Sequence, residues 1–229
     1  MGAESAVGRG RPRAAVASDV AAVGLRLFAR NGYEATTMAD VAAAAGISRP
    51  TLFRYFPAKN DIVWDRYDEE AIELREALAV APDDAEPLEV LCDLLPRVLR
   101  YADTELDLLR TQVTLISTVP DVQGHAQEKM SGWIDIMSDY IGRRSGASKD
   151  ALLPQVVSQC VWSAGWSALT YWAASPQLRP DDALRRAFGA LRDGFSVRSL
   201  ALFAEDRKSV PPAGFEPATG GLEGRCSIH

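Results

Sequence analysis

The sequence predicts an all-α protein, a three-helix helix-turn-helix domain followed by a larger C-terminal helical bundle, about nine helices in all. Three observations predict it. Apolar residues recur at i, i+3, i+4 spacing along most of the chain, the pattern of a helix with one buried face. Capping residues open these runs and Gly or Pro closes them, while hairpin signals are missing. The charge is also divided: residues 1–60 carry eight Lys/Arg against four acids, +4, and the other 169 carry 17 against 27, −10. A basic head on an acidic body places any contact with a polyanion at the head. With 229 residues, 47% hydrophobic and 24% charged, the chain can bury a sizeable core.

Residues 1–14 are small, polar and Gly/Arg-rich, and are expected to form a flexible basic arm. A helix-turn-helix domain is expected over 15–60. Its first helix carries Val20, Ala21, Gly24, Leu27 and Phe28 on one face and stops at Asn31-Gly32, where glycine suits the left-handed position. Thr37 caps the second helix, with Asp40 three residues on as a variant capping box. Gly46 ends that helix. Ser48 caps a third, with Leu52 and Phe56 one turn apart inside, and Pro57 closes it.

The body, 61–203, reads as helices over 60–80, 86–101, 104–118, 121–144, 149–174 and 181–203, with Pro96 and Pro154 kinking or starting theirs. Proline and glycine turns separate them, such as Ala81-Pro82-Asp83-Asp84 and Ser145-Gly146. Residues 151–178 lack any charge, but Pro154 and several Ser and Gln make this a buried helix and not a membrane span. Residues 204–229 mix Pro, Gly and Ser without period and are expected to be a disordered tail, to which the sequence assigns no function.

Several chemistries are excluded. Cys92, Cys160 and Cys226 lie far apart, which argues against a disulfide framework or zinc site and fits a reducing cytoplasm. The start lacks the apolar region of a secretory signal. Two histidines, His125 and His229, leave little for histidine catalysis or metal binding, and no Gly-rich phosphate loop, HExxH or G-x-S-x-G occurs. Glu69, Glu70 and Glu73 read as a solvated helix face and not as a catalytic pair. No catalytic residue, metal or cofactor is expected.

The informative stretch is TTMADVAAAAGISRPTLFRYFPAKNDI, residues 36–62. Two short helices joined at Gly46, with small Ala42 at their crossing, describe a helix-turn-helix. Its second helix turns Arg49, Pro50, Thr51, Phe53 and Arg54 outward, toward a DNA major groove. Arginine can bridge guanine O6 and N7, and threonine or aromatic carbon can meet a thymine methyl. Tyr55 and Lys59 point toward the DNA backbone, and the helix starts at Thr37 and Ser48 offer amides to phosphates. Arg9, Arg11 and Arg13 form a Gly/Pro-spaced run similar to an AT-hook core. It is either a minor-groove reader or a basic arm giving non-specific attraction.

At residues 26–59, RLFARNGYEATTMADVAAAAGISRPTLFRYFPAK, the sequence resembles the tetracycline-repressor (TetR) family. The specific part is the helix ending in Gly-Tyr, then TT, AGIS, TLFxYF and a lysine three residues later. The resemblance is close over about 45 residues and architectural beyond them. It implies a homodimer on a palindromic operator in double-stranded DNA, with effector site and dimer interface in the C-terminal bundle. By position, Arg49, Pro50, Thr51 and Phe53 match base-reading residues, and Thr37, Tyr55 and Lys59 match backbone contacts. Phe53 departs from the family's frequent tyrosine and loses its hydroxyl; Tyr55 replaces a common histidine but keeps a polar tip. The run FRYFPAKNDIVW, residues 53–64, is similar to a subgroup associated with acyl-CoA-like ligands, which includes regulators of mycofactocin gene clusters.

The effector expected is therefore a small apolar or acyl-CoA-like molecule, with Met130, Trp133, Met137, Trp162 and Trp166 as candidate contacts. Helical spacing alone does not separate such a pocket from ordinary core. Arg97, Arg100, Arg110, Arg143 and Arg144 are candidates for ligand phosphates, with solvated surface as the alternative. Helices 149–174 and 181–203 are the candidate dimer interface, the second through a stripe of Leu184, Phe188, Leu191 and Phe195. The function expected is a ligand-responsive repressor, the alternatives being a constitutive architectural DNA-binding protein and a helical enzyme.

Overall fold

The computed structural model describes residues 13–194, with side chains from residue 17 onward. Arg9, Arg11, Phe195, the 204–229 tail and the Arg13 side chain thus lie outside what it describes. All regular structure among the described residues is helical: eleven α-helices and one 3-10 turn. Nine of the α-helices have seven residues or more.

The head is built by its caps. α1 (Arg13–Asn31) ends at Gly32, whose φ of +87° a side chain would resist. α2 (Met38–Ala44) opens on Thr37, whose hydroxyl accepts from Asp40 N at 3.2 Å while the Asp40 carboxylate accepts from Thr37 N at 2.8 Å. α3 (Arg49–Tyr55) opens on Ser48 and buries Leu52 completely. α1 comes so close to α4 (Lys59–Val63) that a Cβ on Gly24 would sit 2.7 Å from Ile62 Cγ2.

Residues 60–80, expected as one helix, form two. α4 stops at Val63 and α5 (Tyr67–Ala79) begins after Arg66, the one non-glycine residue at positive φ (+67°) among the described residues. The break reverses the buried side: Ile62, Val63 and Trp64 enter the head's core, whereas Leu74 and Leu78 enter the body's. Gln112 repairs the backbone there by donating to Val63 O at 2.6 Å. Residues 121–144 also divide, into α8 (Pro120–Gln123) and α9 (Ala126–Ser145), and 104–118 becomes a 3-10 turn, Asp103–Glu105, then α7 (Leu106–Thr118). α6 (Pro87–Val98) and α10 (Leu152–Ala173) keep close to their expected spans, whereas α11 (Pro180–Arg192), expected to run to 203, ends at Asp193 and Gly194, whose φ is +67°. Pro154 lies in the first turn of α10, where its missing N–H costs nothing, but Pro96 lies inside α6.

The head's core does not stop at residue 60. Leu115 and Ile116 of α7 and Val122 of α8 pack into it, beside Phe28, Val41 and Leu52. Two polar ties accompany this seam. The Tyr33 hydroxyl donates to Asp121 Oδ2 at 2.8 Å, and the Asn60 amide meets His125 Nδ1 at 2.8 Å. The body's core joins α5, α6, α7, α9, α10 and α11. The apolar stripe of α11 is a correction to the expected interface: Leu184 and Phe188 are buried in their own chain, Phe188 Cζ only 3.3 Å from where a Gly165 Cβ would be. The opposite side of α10 is left outside, with Leu152 at 77% and Leu153 at 71% exposure, followed by exposed Val156, Cys160 and Tyr171. No helix among the described residues is long and apolar enough to cross a membrane.

Candidate nucleic-acid interface and ligand cavity

α3 sorts its residues by face. Leu52 and Phe56 are buried against the head's core, while Arg49, Pro50, Phe53 and Arg54 are exposed and Thr51 and Tyr55 half-buried. Phe53 is 47% exposed, far more than apolar packing alone would leave an aromatic. The Arg54 guanidinium lies 5.4 Å from the Tyr55 ring centre, a cation–π contact that holds both near one another. Thr51 shares a hydrogen bond of 2.8 Å with the Ser48 hydroxyl and donates its own N–H to it at 3.3 Å.

The expected backbone contacts have partners within the head: the helix starts at Thr37 and Ser48 each use one amide for their cap, and Lys59 is hydrogen-bonded. The Ser48 and Thr37 caps occupy the Thr51 and Asp40 amides, so those N–H groups are not open to phosphate. Beside Thr37, the Asp40 carboxyl is held below its ordinary range by the Thr37 hydroxyl and amide, which keeps a negative charge at the start of α2. Lys59 is engaged inside the head: its ammonium donates to Tyr33 O at 2.9 Å and Thr36 O at 3.3 Å and lies 4.0 Å from the Tyr33 ring centre. It fastens the α1–α2 link, because the two carbonyls there have no helical partner.

In the body, α5, α6, α7, α9, α10 and α11 leave a cavity of about 60 Å³ between them. Trp133, Met137, Trp162 and Trp166 all line it. Met130 does not; it is half-buried toward the start of α9, packed at the edge of the core. The polar lining was missed from the sequence. Glu70 is 7% exposed and takes a hydrogen bond from the Tyr101 hydroxyl at 2.7 Å, so it is not the solvated face expected of it. Burial pushes its carboxyl up to about 7, against the opposing pull of Tyr101 and Arg66. Tyr67, Glu70, Leu74 and Leu78 share one inward stripe at i, i+3, i+7, i+11, and that register was the signal for Glu70. Glu69 and Glu73 are exposed, as expected.

Most of the candidate phosphate-binding arginines have other work. Arg110 donates to Trp172 O (2.8 Å) and Ala173 O (2.6 Å), covering the end of α10. Arg144 grips the α5–α6 turn through the carbonyls of Pro82, Asp83 and Ala85. Arg143 pairs with Asp139 at 3.1 Å. Arg97 and Arg100 are exposed near the end of α6, interleaved with the cavity-lining Leu95, Leu99 and Tyr101. Cys92 is buried, its thiol pushed up to about 11 by that burial, and serves as packing.

A capped helix-turn-helix whose exposed face carries Arg, Thr and aromatic carbon, set on a helical body with its own cavity, defines a DNA-binding transcriptional regulator. The chain belongs to the TetR family: residues 21–64 match bacterial regulatory proteins of the tetR family, and residues 85–196 match the MftR C-terminal domain. It is 28% identical over 185 residues to the protein of Mycobacterium tuberculosis named as the mycofactocin biosynthesis transcriptional regulator MftR, 81% of this chain and 93% of that one. The Thermus thermophilus repressor FadR, solved in complex with lauroyl-CoA, is 25% identical with a TM-score of 0.54, covering 81% of this chain and 96% of its own. FadR from Bacillus subtilis, in complex with stearoyl-CoA, shares the fold at 17% identity and a TM-score of 0.53, over 75% of this chain and 95% of that one.

Proposed function

We propose that the protein is a repressor that binds a palindromic operator as a homodimer and is released when an acyl-CoA-like effector enters the cavity. The observation that carries the reading is the pairing of two features in one chain. The base-reading face of α3 is exposed, and the body holds an apolar, tryptophan-lined cavity whose walls touch the head. Residues 15–60 act as the DNA-reading unit and 61–203 as the effector and dimer unit. Arg49, Pro50, Thr51, Phe53, Arg54 and Tyr55 face the groove, and Arg9, Arg11 and Arg13 add charge to the same contact. Lauroyl-CoA in the 25% identical FadR supports the ligand class.

A cavity of about 60 Å³ holds a few waters, not a long acyl chain. Entry of the chain must therefore widen the bundle. Widening strains α7, which lines the cavity through Leu109 and Gln112 while its Leu115 and Ile116 sit in the head's core. Coupling between the two sites is built into that one helix. The test is DNA binding by the purified chain, on a sequence selected from a random duplex pool, with and without lauroyl-CoA. We expect affinity to fall about tenfold or more. Tight binding unchanged by acyl-CoA thioesters of any length leaves a constitutive DNA-binding protein instead.

A further inference from the structure

The cavity is mostly apolar; its polar lining is Tyr67 and, one turn later, Glu70 from α5, with Tyr101, whose hydroxyl is given to Glu70, and Gln112, whose amide nitrogen is given to Val63 O. Glu70 is almost wholly buried, yet its neighbours satisfy it only in part. Tyr101 fills one of the roughly four lone-pair positions of a carboxylate. Arg66, the nearest opposing charge, is hydrogen-bonded to Glu105 at 3.0 Å. The Tyr67 ring stands among Trp133 and Trp162, which also line the cavity, with centroids at 5.4 and 6.1 Å. Its hydroxyl is buried and has no hydrogen-bond partner. Buried acceptors and donors left unmatched are costly, and a site lined by them discriminates strongly for ligands that complete them.

We propose that Glu70 and Tyr67 form a polar end of the cavity that recognises a neutral hydrogen-bonding group, an amide above all, on an otherwise apolar ligand, and that rejects a free carboxylate. The inference rests on the cavity being the effector site and adds which chemistry the effector carries inside it. An amide N–H donates to Glu70 while its carbonyl accepts from Tyr67, so both groups are satisfied together. A ligand carboxylate supplies no donor and brings a second negative charge into a poorly solvated space. A cation gains less than its charge suggests, because Arg66 already faces Glu70.

Three ten-carbon probes test this at pH 8 through tryptophan emission and calorimetry of the full chain: decanamide, decanoate and decylammonium. Decanamide should bind tightest, with decanoate about tenfold weaker or more. Glu70→Gln should bring decanoate to within about threefold of decanamide, and Tyr67→Phe should weaken decanamide about threefold to tenfold while leaving decanoate unchanged. Equal binding of decanoate and decanamide to the wild type overturns the proposal, as does decylammonium binding tightest or a preference that survives in Glu70→Gln. Those results leave the effector cavity standing. If none of the probes, and no acyl-CoA, binds at all, the cavity reading falls and takes the polar end with it.

Discussion

Arg49 and Lys59 are both cations in the basic head, but they differ in what already holds them. Arg49 is exposed at the first position of α3, while Lys59 is spent on two carbonyls and the Tyr33 ring. Arg49→Ala should therefore cost about 1–3 kcal/mol of DNA affinity and relax preference at one base position, as read by competition among single-base operator variants. Lys59→Ala should instead lower the melting temperature and leave the base preference of the folded fraction intact. A uniform loss of affinity across sequences with a shallower salt dependence, at unchanged melting temperature, would return it to the DNA backbone. Glu70 gives a prediction in pH. Its carboxyl rises from its usual 4.5 to about 7, so the folded chain holds that proton more tightly than the unfolded one. Stability from this group is full below about pH 4.5 and declines as pH rises toward 7. Asp65, raised to about 6 by burial, adds to the same decline. Glu70→Gln should flatten the curve, gaining on the order of 3 kcal/mol at pH 8 relative to its effect at pH 4. Denaturant titrations at the two pH values measure it; an equal effect at both refutes the buried-acid account.

At the scale of elements, the α4–α5 break shows what a chain can and does not announce. Arg66 carries a left-handed backbone that only tertiary packing sustains, at a cost on the order of 1 kcal/mol or more. Arg66→Gly relieves that strain and loses a half-exposed pair with Glu105, so its stability should lie within about 1 kcal/mol of wild type. Arg66→Val forces a β-branched side chain into the same conformation and should destabilise by about 2 kcal/mol or more in urea unfolding. No Gly or Pro marks this position, which is why the pattern over 60–80 reads as one helix. The caps at Thr37 and Ser48 were legible, because each is a local bargain between one side chain and the amides three residues on. So were Trp133, Met137, Trp162 and Trp166 as a group, since bulky apolar residues on neighbouring helices converge. The long-range capping by Arg110 and Arg144 was not, since it depends on carbonyls about sixty residues away.

For the whole molecule, the remaining question is what doubles the head. One recognition helix reads only a few base pairs, too few to select a site among a genome's competitors, and the proposed twofold dimer on a palindrome would supply the rest. The α11 stripe is not available for this, because Leu184 and Phe188 already fill the chain's own core. The outer side of α10 is available: Leu152, Leu153, Val156, Cys160, Ser163, Ser167 and Tyr171 are exposed along it, with no charge anywhere from residue 151 to 178. A surface helix facing only water would carry charged residues there, and the small Ser163 and Ser167 let a second copy approach closely. Val156→Glu and Ser163→Glu should each leave helical content and melting nearly unchanged, shift the sedimenting species from dimer to monomer, and weaken operator binding by at least about tenfold. Leu184→Glu, by contrast, should destroy the fold, since it places an unpaired charge in the buried core. The two classes separate in one experiment, sedimentation with circular dichroism on the same samples. Wild-type chain that sediments as a monomer at micromolar concentration removes the dimer altogether, whatever the variants do.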